Sequence, residues 1–430
     1  MTRTDRAQFD SVTAASSQEQ AVLITGGTGF LGSHLAVRLM AQGFRVLLLA
    51  RKDSKGHSPQ QRVQRLLDWF HVPDEHRQRL TVLEGHLDAP GLGLSPEDAQ
   101  TMADCVRETI HCASNTSFAS RKREQVERTN VQGLDNLLQS LRTTPCRRLH
   151  LISTAYAAGT RCGWCPEDFI QPRAFHNVYE ESKWRAESLA ARYCAHRGIT
   201  LYVHRPSIVY GHSRSGRTLA FNALYYPIRT LHYFQKLYTR DLVENGGHKA
   251  RAMGIHLLPD GSLHLPLRIR GSNQGGINLI PVDHFVRAFM AIRRESSQGG
   301  VFHIVNSHNT GLSQVVDYTM RFFGLRGLVI AGRDGFSKQP LNGLEVLFDK
   351  HMQVYAPYMQ DTRIFEHTPT SALLARQGIA CPDFSYEIFS TCMRYAVDVD
   401  WGKSLQESHQ SCPSTLPTDT ETSRPRKSAG

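Results

Sequence analysis

The chain has 430 residues, 40% of them hydrophobic, which is the composition of an ordinary soluble globular protein of one large or two unequal lobes. No apolar run reaches the roughly 20 residues a membrane-spanning helix needs, which leaves only peripheral contact with a membrane open. The net charge of +11 fits nucleic acid, a phosphate-bearing substrate or an acidic carrier protein, but the cations are dispersed and not interleaved with aromatics, which disfavours nucleic acid.

The N-terminus lacks the apolar core of a secretory signal, and nine cysteines, an odd number, are scattered without a framework, so reduced thiols and a cytoplasmic location are expected. Residues 1–19 are polar and Ser/Gln-rich and are expected to form a disordered leader. The apolar run 21–24 predicts a buried strand, which meets the turn TGGTGFLG and then the amphipathic stretch LGSHLAVRLMAQG. Gly26 and Gly29 let the backbone turn sharply and let a pyrophosphate come close, and Gly32 lets the helix pack on the strand. The helix N-terminus then offers free amide N–H groups to phosphate. Thr25, Thr28, Phe30 and Leu31 complete the expected cofactor-binding turn.

FRVLLLA (44–50) reads as a second strand. An acidic residue at its end would bind the ribose hydroxyls of NAD. Arg51 and Lys52 stand there instead, which favours the 2′-phosphate of NADPH over a reading as two solvated cations. A helical stretch (60–70), strands at 79–85, 108–114 and 148–154, helices at 124–141 and 178–198, and a strand with its exit loop (199–211) follow. This alternation predicts an α/β fold with a doubly wound parallel Rossmann sheet over 20–211.

Beyond 212 the alternation breaks. Residues 221–238 are aromatic and helical in tendency, 239–262 look irregular, SLHLPLRIRG and GINLI read as short strands, and 281–295, 300–306 and 312–324 as helix, strand and helix. With helical segments in 345–400 they predict a smaller C-terminal substrate lobe and helical extension, 212–400, over the C-terminal ends of the parallel strands, with 281–310 returning to the core. The Ser/Thr/Pro-rich end, 401–430, is expected to be disordered.

The residues best suited to chemistry are Ser153 and Thr154 at the end of the fifth strand, with Tyr179 and Lys183 four apart on one helix face. Lys183 can lower the Tyr179 pKa by its charge and hydrogen-bond a ribose. Tyr179 can donate a proton to an oxygen that gains charge as hydride arrives, with Thr154 holding that oxygen. YxxxK is common by chance; downstream of a nucleotide turn and a strand-terminal hydroxyl pair it is much more specific than a surface Tyr and Lys.

TGGTGFLG, LIST, YEESK and RPSIVYG together resemble the extended short-chain dehydrogenase/reductases. GTGFLGSHL, the LGL of DAPGLGLSPED, HCAS followed by NTSF, TNVQGLDNLL, LISTAYAAG, YEESKWRAE and INLIPVDHF resemble, more narrowly, the thioester-reductase and fatty acyl-CoA reductase branch, with its male-sterility type of NAD(P)-binding domain, over about 21–310. The resemblance implies NADPH as cofactor, an acyl-CoA or acyl carrier protein thioester as substrate, and an aldehyde or alcohol as product. It implies Thr154, Tyr179 and Lys183 as the catalytic set, Ser153, Tyr179 and Lys183 at the cofactor, Asn130 near the base of the cleft, and Arg205, Pro206 and Ser207 bordering the nicotinamide. The family's acidic residue after the third strand is replaced here by His86, with Asp88 two positions on, which changes how adenine is held.

An extended short-chain dehydrogenase or epimerase acting on a nucleotide sugar or a sterol-like alcohol is the alternative, and a non-catalytic NADPH-binding protein a third reading; Arg51-Lys52 and the intact Thr–Tyr–Lys set argue against them in turn. Cys162 and Cys165 have redox spacing but lie in a loop before Pro166, so they read as loop cysteines rather than a redox pair or half a metal site. No HExxH supports a zinc hydrolase, and no metal is expected. Residues 121–123, Arg-Lys-Arg, read as a solvated loop or a contact for CoA phosphates, and 224–234 as lobe core in preference to a lipid-contacting lid.

Overall fold

The computed structural model describes residues 20–407 other than 273 and 338; the predicted leader (1–19) and the tail from 408 lie outside the described residues. Its centre is a seven-stranded sheet. In chain order its strands are β1 (Ala21–Thr25), β2 (Arg45–Ala50), β3 (Leu80–Glu84), β4 (Val106–His111), β5 (Arg148–Ile152), β6 (Thr200–Pro206) and, after the strands of the smaller lobe and its junction, β10 (Gly300–Ile304). The spatial order is β10-β6-β5-β4-β1-β2-β3, every pair parallel. This is the doubly wound fold that the alternation of elements predicts.

Both faces of the sheet are covered, which is why its strands are apolar at successive positions. On one face Val22, Ile24, Val46 and Leu48 pack with Leu35 and Leu39 of α1 (Phe30–Ala41) and with Phe285 and Phe289 of the helix Val282–Glu295. On the other, Leu23, Leu47, Leu149 and Leu151 pack with Leu134 and Leu137 of the helix Gly133–Ser140 and with Ala186 and Ala190 of the helix Val178–Arg197. The chain winds from β1 toward β3 on one side and from β4 toward β10 on the other. The crevice outside the C-terminal ends of β1 and β4 is therefore the switch point where such sheets take ligands.

The smaller lobe is built on β8 (Leu263–Arg270), whose Leu263, Leu265, Leu267 and Ile269 point inward at every second position. It pairs in parallel with β11 (Leu325–Ala331), a strand the sequence reading passed over because it follows the helix Leu312–Phe323 through Gly324 alone. The aromatic helix runs over Tyr225–Glu244, so the stretch read as irregular begins within it. Leu224, Ile228, Leu231 and Phe234 are buried, which makes this segment lobe core. β7 (Ile208–Tyr210) pairs with β9 (Leu279–Pro281), joining the two parts directly beside the crevice.

One boundary is corrected. The ordered chain runs past 401, because Trp401 is buried and its indole N–H donates to His232 Nδ1 at 3.1 Å.

Candidate active site

The glycine turn is fixed by steric demand. Gly26 has φ +73°, and a Cβ there would sit 2.4 Å from the Ala113 backbone nitrogen. A Cβ on Gly32 would sit 2.3 Å from the Gly26 carbonyl oxygen. Gly29 caps α1 without any side-chain hydrogen bond, so the first-turn amides of that helix are open to an anion. Thr25, Thr28, Phe30 and Leu31 line the same cavity. Thr25 Oγ1 is held 2.8 Å from His111 Nδ1.

Arg51 lines the cavity beyond the turn, but Lys52 does not; it is mostly exposed and pairs with Glu84 at 3.5 Å. The second cation at this end is Arg62. Its guanidinium donates to the Arg51 carbonyl (2.6 Å) and to Thr28 Oγ1 (2.9 Å), tying the β2 end to the glycine turn. Arg62 rides on the helix Pro59–Trp69, whose start is fixed by a reciprocal capping box between Ser58 and Gln61. Burial, with Arg51 as a further contributor, lowers the Arg62 pKa. Sequence reasoning missed this residue, although the Ser-Pro-x-Gln cap is legible. His86 Nδ1 lies 2.8 Å from Asp88 Oδ1, and the pair lines the cavity beyond β3.

At the end of β5, Thr154 Oγ1 accepts the Tyr156 amide and contacts the Pro206 carbonyl at 3.5 Å. The Val178–Arg197 helix, capped by Asn177, carries Tyr179 in its first turn and Lys183 one turn on. The Lys183 ammonium donates to the Ile152 carbonyl at 2.5 Å, and the Thr154 side chain acts electrostatically on the Tyr179 phenol. The structure therefore brings Thr154, Tyr179 and Lys183 together on one cavity wall. Their electrostatics differ from the expectation. Burial pushes the Tyr179 phenol above its ordinary value, with Thr154 opposing, and no effect of Lys183 on it is resolved. The phenol is thus neutral and able to donate. Burial lowers Lys183 to about 8.

The remaining residues divide. Pro206 and Ser207 line the cavity, and Ser207 Oγ is buried with no hydrogen-bond partner among the described residues. Ser153 also lines it, but its hydroxyl donates to Glu187 at 2.5 Å. Asn130 does not line it. Held in a π-helical turn, Asn130 bonds the Asn115 amide (2.7 Å) and Ser182 Oγ (2.8 Å), so it pins the loop after β4 to the Val178–Arg197 helix.

The cavity, about 1130 Å³, continues past Tyr179 into an aromatic half formed by Phe118, Tyr226, Tyr355 and Tyr358. Phe118 stands 5.8 Å from both Tyr179 and Tyr355 and 5.4 Å from Tyr358, ring centre to ring centre. Tyr358 donates to Glu180 at 2.7 Å and accepts from Asn177 at 2.6 Å, bonding the segment 353–360 to the residues beside Tyr179. Cys162 and Cys165 are both free thiols, and no cluster of three metal-ligating side chains exists among the described residues.

The uncapped helix start, the turn that a Cβ would fill and the orphaned Ser207 hydroxyl all fit a dinucleotide. The comparisons agree. The family described as Male sterility protein matches residues 24–289. The hybrid PKS-NRPS synthetase pvhA of Talaromyces variabilis is 32% identical over 197 residues, covering 44% of this chain and 4% of that protein. Fatty acyl-CoA reductase 1 of Rattus norvegicus is 28% identical over 144 residues, covering 32% of this chain and 28% of that protein. The chain thus spans less than a third of the length of these curated relatives. Among solved structures, the terminal R domain from the myxalamid PKS-NRPS biosynthetic pathway superposes with a TM-score of 0.68 at 22% identity, covering 89% of this chain and 92% of that one.

Proposed function

The chain belongs to the male sterility protein family of NAD(P)-binding reductases, and on that premise we propose that it is an NADPH-dependent reductase of acyl thioesters. The observation that carries the reading is that Thr154, Tyr179 and Lys183 line one wall of the cavity, at the junction of a dinucleotide cleft and an aromatic pocket. Thr25, Gly26, Thr28, Gly29, Phe30, Leu31 and Gly32 would hold the pyrophosphate, Arg51 and Arg62 the 2′-phosphate, and Lys183 a ribose. Ser207 offers its free hydroxyl to the nicotinamide end. When bound, the dinucleotide supplies hydride.

The protein's own part follows from the geometry. The Tyr179 and Thr154 hydroxyls are set to hold a thioester oxygen as it gains negative charge. Tyr179, kept neutral by burial, gives that oxygen its proton. Collapse of the tetrahedral centre then expels the thiol and leaves an aldehyde. The aromatic half, closed by Tyr355 and Tyr358, takes the acyl group and keeps water from the reacting carbon.

Two outcomes follow directly. The Lys183 ammonium is charged below about pH 8 and neutral above it, so kcat/KM falls as pH rises through about 8; a profile flat to pH 10 contradicts this. Arg62→Ala raises the KM for NADPH about 10–100-fold, the worth of one charge-assisted hydrogen-bonding group, and leaves that for NADH nearly unchanged. Equal loss on both cofactors refutes the 2′-phosphate role.

The function itself is tested by NADPH consumption with acyl-CoAs from short to long chain, then with acyl carrier protein thioesters. Turnover of either supports the reading. Activity confined to alcohols or nucleotide sugars, or NAD retained through purification, assigns the fold to the dehydrogenase or epimerase chemistry instead.

A further inference from the structure

Two helices of the smaller lobe face outward next to the cavity. The helix Tyr225–Glu244 buries Leu231, Phe234 and Tyr238, and the helix Gly343–Met352 buries Leu344, Phe348 and Met352, in one shared core. They meet where Tyr226 Oη and His351 Nδ1 stand 3.2 Å apart. That meeting point is also the cavity edge, since Tyr226, Val354 and Tyr355 line the cavity. On the outward side, Tyr233 and Leu237 of the first helix, Leu347 of the second and Val354 just past its end are 42–60% exposed. Lys236 and Lys350 are exposed among them. Spacings of three and four residues put Tyr233, Lys236 and Leu237 on one stripe, and Leu347 and Lys350 on another.

The carboxylates of these helices are all occupied elsewhere. Glu244 pairs with Arg240 (2.9 Å), Glu345 with Arg268 (2.7 Å) and Asp349 with Arg270 (2.7 Å), and the buried Asp241 accepts the Ala250 amide (2.9 Å). Lys236 and Lys350 take part in no ion pair among the described residues. Apolar tips set among unpaired ammonium groups match the surface layer of an anionic bilayer. Tyrosine and leucine enter the acyl boundary there, while lysine reaches a phosphate on its flexible stem. An acidic protein surface would satisfy the lysines. Four apolar side chains spread over two helix backs call instead for a partner that is apolar immediately beneath its charge, which a bilayer is. We propose that this two-helix face docks on an anionic lipid bilayer. Docking goes beyond the reduction chemistry and does not depend on it; its consequence is to hold the cavity edge at the headgroup layer.

The test sediments the full chain with vesicles of phosphatidylcholine, alone or mixed with phosphatidylglycerol. The wild type is expected to partition onto the mixed vesicles roughly tenfold or more above the neutral ones, since each lysine near an anionic surface is worth about fivefold. K236E/K350E loses that gain. L237S/L347S loses about tenfold at unchanged charge, because two apolar side chains no longer enter the bilayer. The chain carries a net charge of +11, so a control with the same charge change elsewhere is needed. R192E/R376E supplies it, at exposed arginines of two helical segments packed with the seven-stranded sheet, and is expected to bind nearly as wild type. Thermal melting of all three variants is expected to be unchanged, and the wild-type comparison of the two vesicle types decides without any variant. Equal partitioning onto both vesicle types, no binding to either, or equal losses in R192E/R376E and K236E/K350E overturns the proposal. Binding that L237S/L347S leaves unchanged also overturns it and points to an acidic protein partner. A wild-type dimer that L237S/L347S dissociates assigns the face to a second copy of the chain instead. Vesicle binding is read without substrate, so its outcome stands apart from that of the reductase reading.

Discussion

Tyr179→Phe lowers kcat about 10²–10⁴-fold while leaving NADPH binding intact, because it deletes one hydroxyl and changes neither the glycine turn nor Lys183. The argument is one of charge. As hydride reaches the carbonyl carbon its oxygen becomes an alkoxide, and in a cavity with few competing waters that charge must be met by a donor already in place. Burial keeps the Tyr179 phenol protonated, and Thr154 lines the same cavity wall. Phenylalanine keeps the ring against Phe118 but offers no proton. Thr154→Val, by the same reasoning, loses less, since the tyrosine remains. Titrating NADPH by fluorescence and following its oxidation in the same preparations separates the two effects. A Tyr179→Phe protein with near-normal kcat would remove tyrosine from the mechanism.

The second large effect is on stability. Arg205 and Glu187 are both about 1% exposed and form a two-pronged pair, Nε to Oε1 at 2.9 Å and Nη2 to Oε2 at 2.6 Å. Arg205 Nη1 also donates to the Asp168 carbonyl (2.9 Å), and Ser153 adds its hydroxyl to Glu187. Arg205→Met leaves a buried carboxylate without its counter-charge and destabilises the protein by about 3–5 kcal/mol. Arg205→Met combined with Glu187→Leu costs less than the single change, because no uncompensated charge is left. Urea unfolding of the three proteins measures both numbers. A double variant no more stable than the single one would mean that packing, not charge, dominates here.

These two sites mark how far the sequence can be read. The turn, the Tyr–Lys pair and the strand-terminal hydroxyls were legible because each is local: a glycine spacing, an i, i+4 repeat, the end of an apolar run. Arg205, in the RPS phrase expected to border the nicotinamide, turned out to brace the site from behind; only Pro206 and Ser207 reach the cavity. That division depends on which face of β6 each residue occupies, and on Glu187 one element away. Lys52 and Arg62 exchange places for a similar reason. Position along the strand marked Lys52, but its side chain leaves toward Glu84, while the capped helix that starts at Pro59 returns Arg62, 11 residues after Arg51, to the cleft. Tyr355 and Tyr358 could not be read at all. They lie in a 3₁₀ segment containing Pro357, with no periodic pattern, and are held at the site where Tyr358 bonds Glu180 and Asn177. Arg363, buried against Asp361 and bonded to the Gly159 carbonyl, holds that segment down.

The segment from 353 to 360 lies beyond the part of the chain that the family matches, yet its Val354, Tyr355 and Tyr358 line the aromatic half of the cavity. On the proposed reductase reading, the shared domain carries the residues for the hydride step, and this segment adds to the wall around the acyl group.

The most direct test of the reductase assignment follows NADPH oxidation and free-thiol appearance together, in one reaction with an acyl thioester. Thioester reduction releases one thiol per NADPH if the product is the aldehyde, and one per two NADPH if reduction continues to the alcohol. Either ratio, abolished in Tyr179→Phe, is the predicted result. NADPH oxidised with no thiol released, or oxidation seen only with aldehydes, would place the hydride on a different substrate and contradict the account.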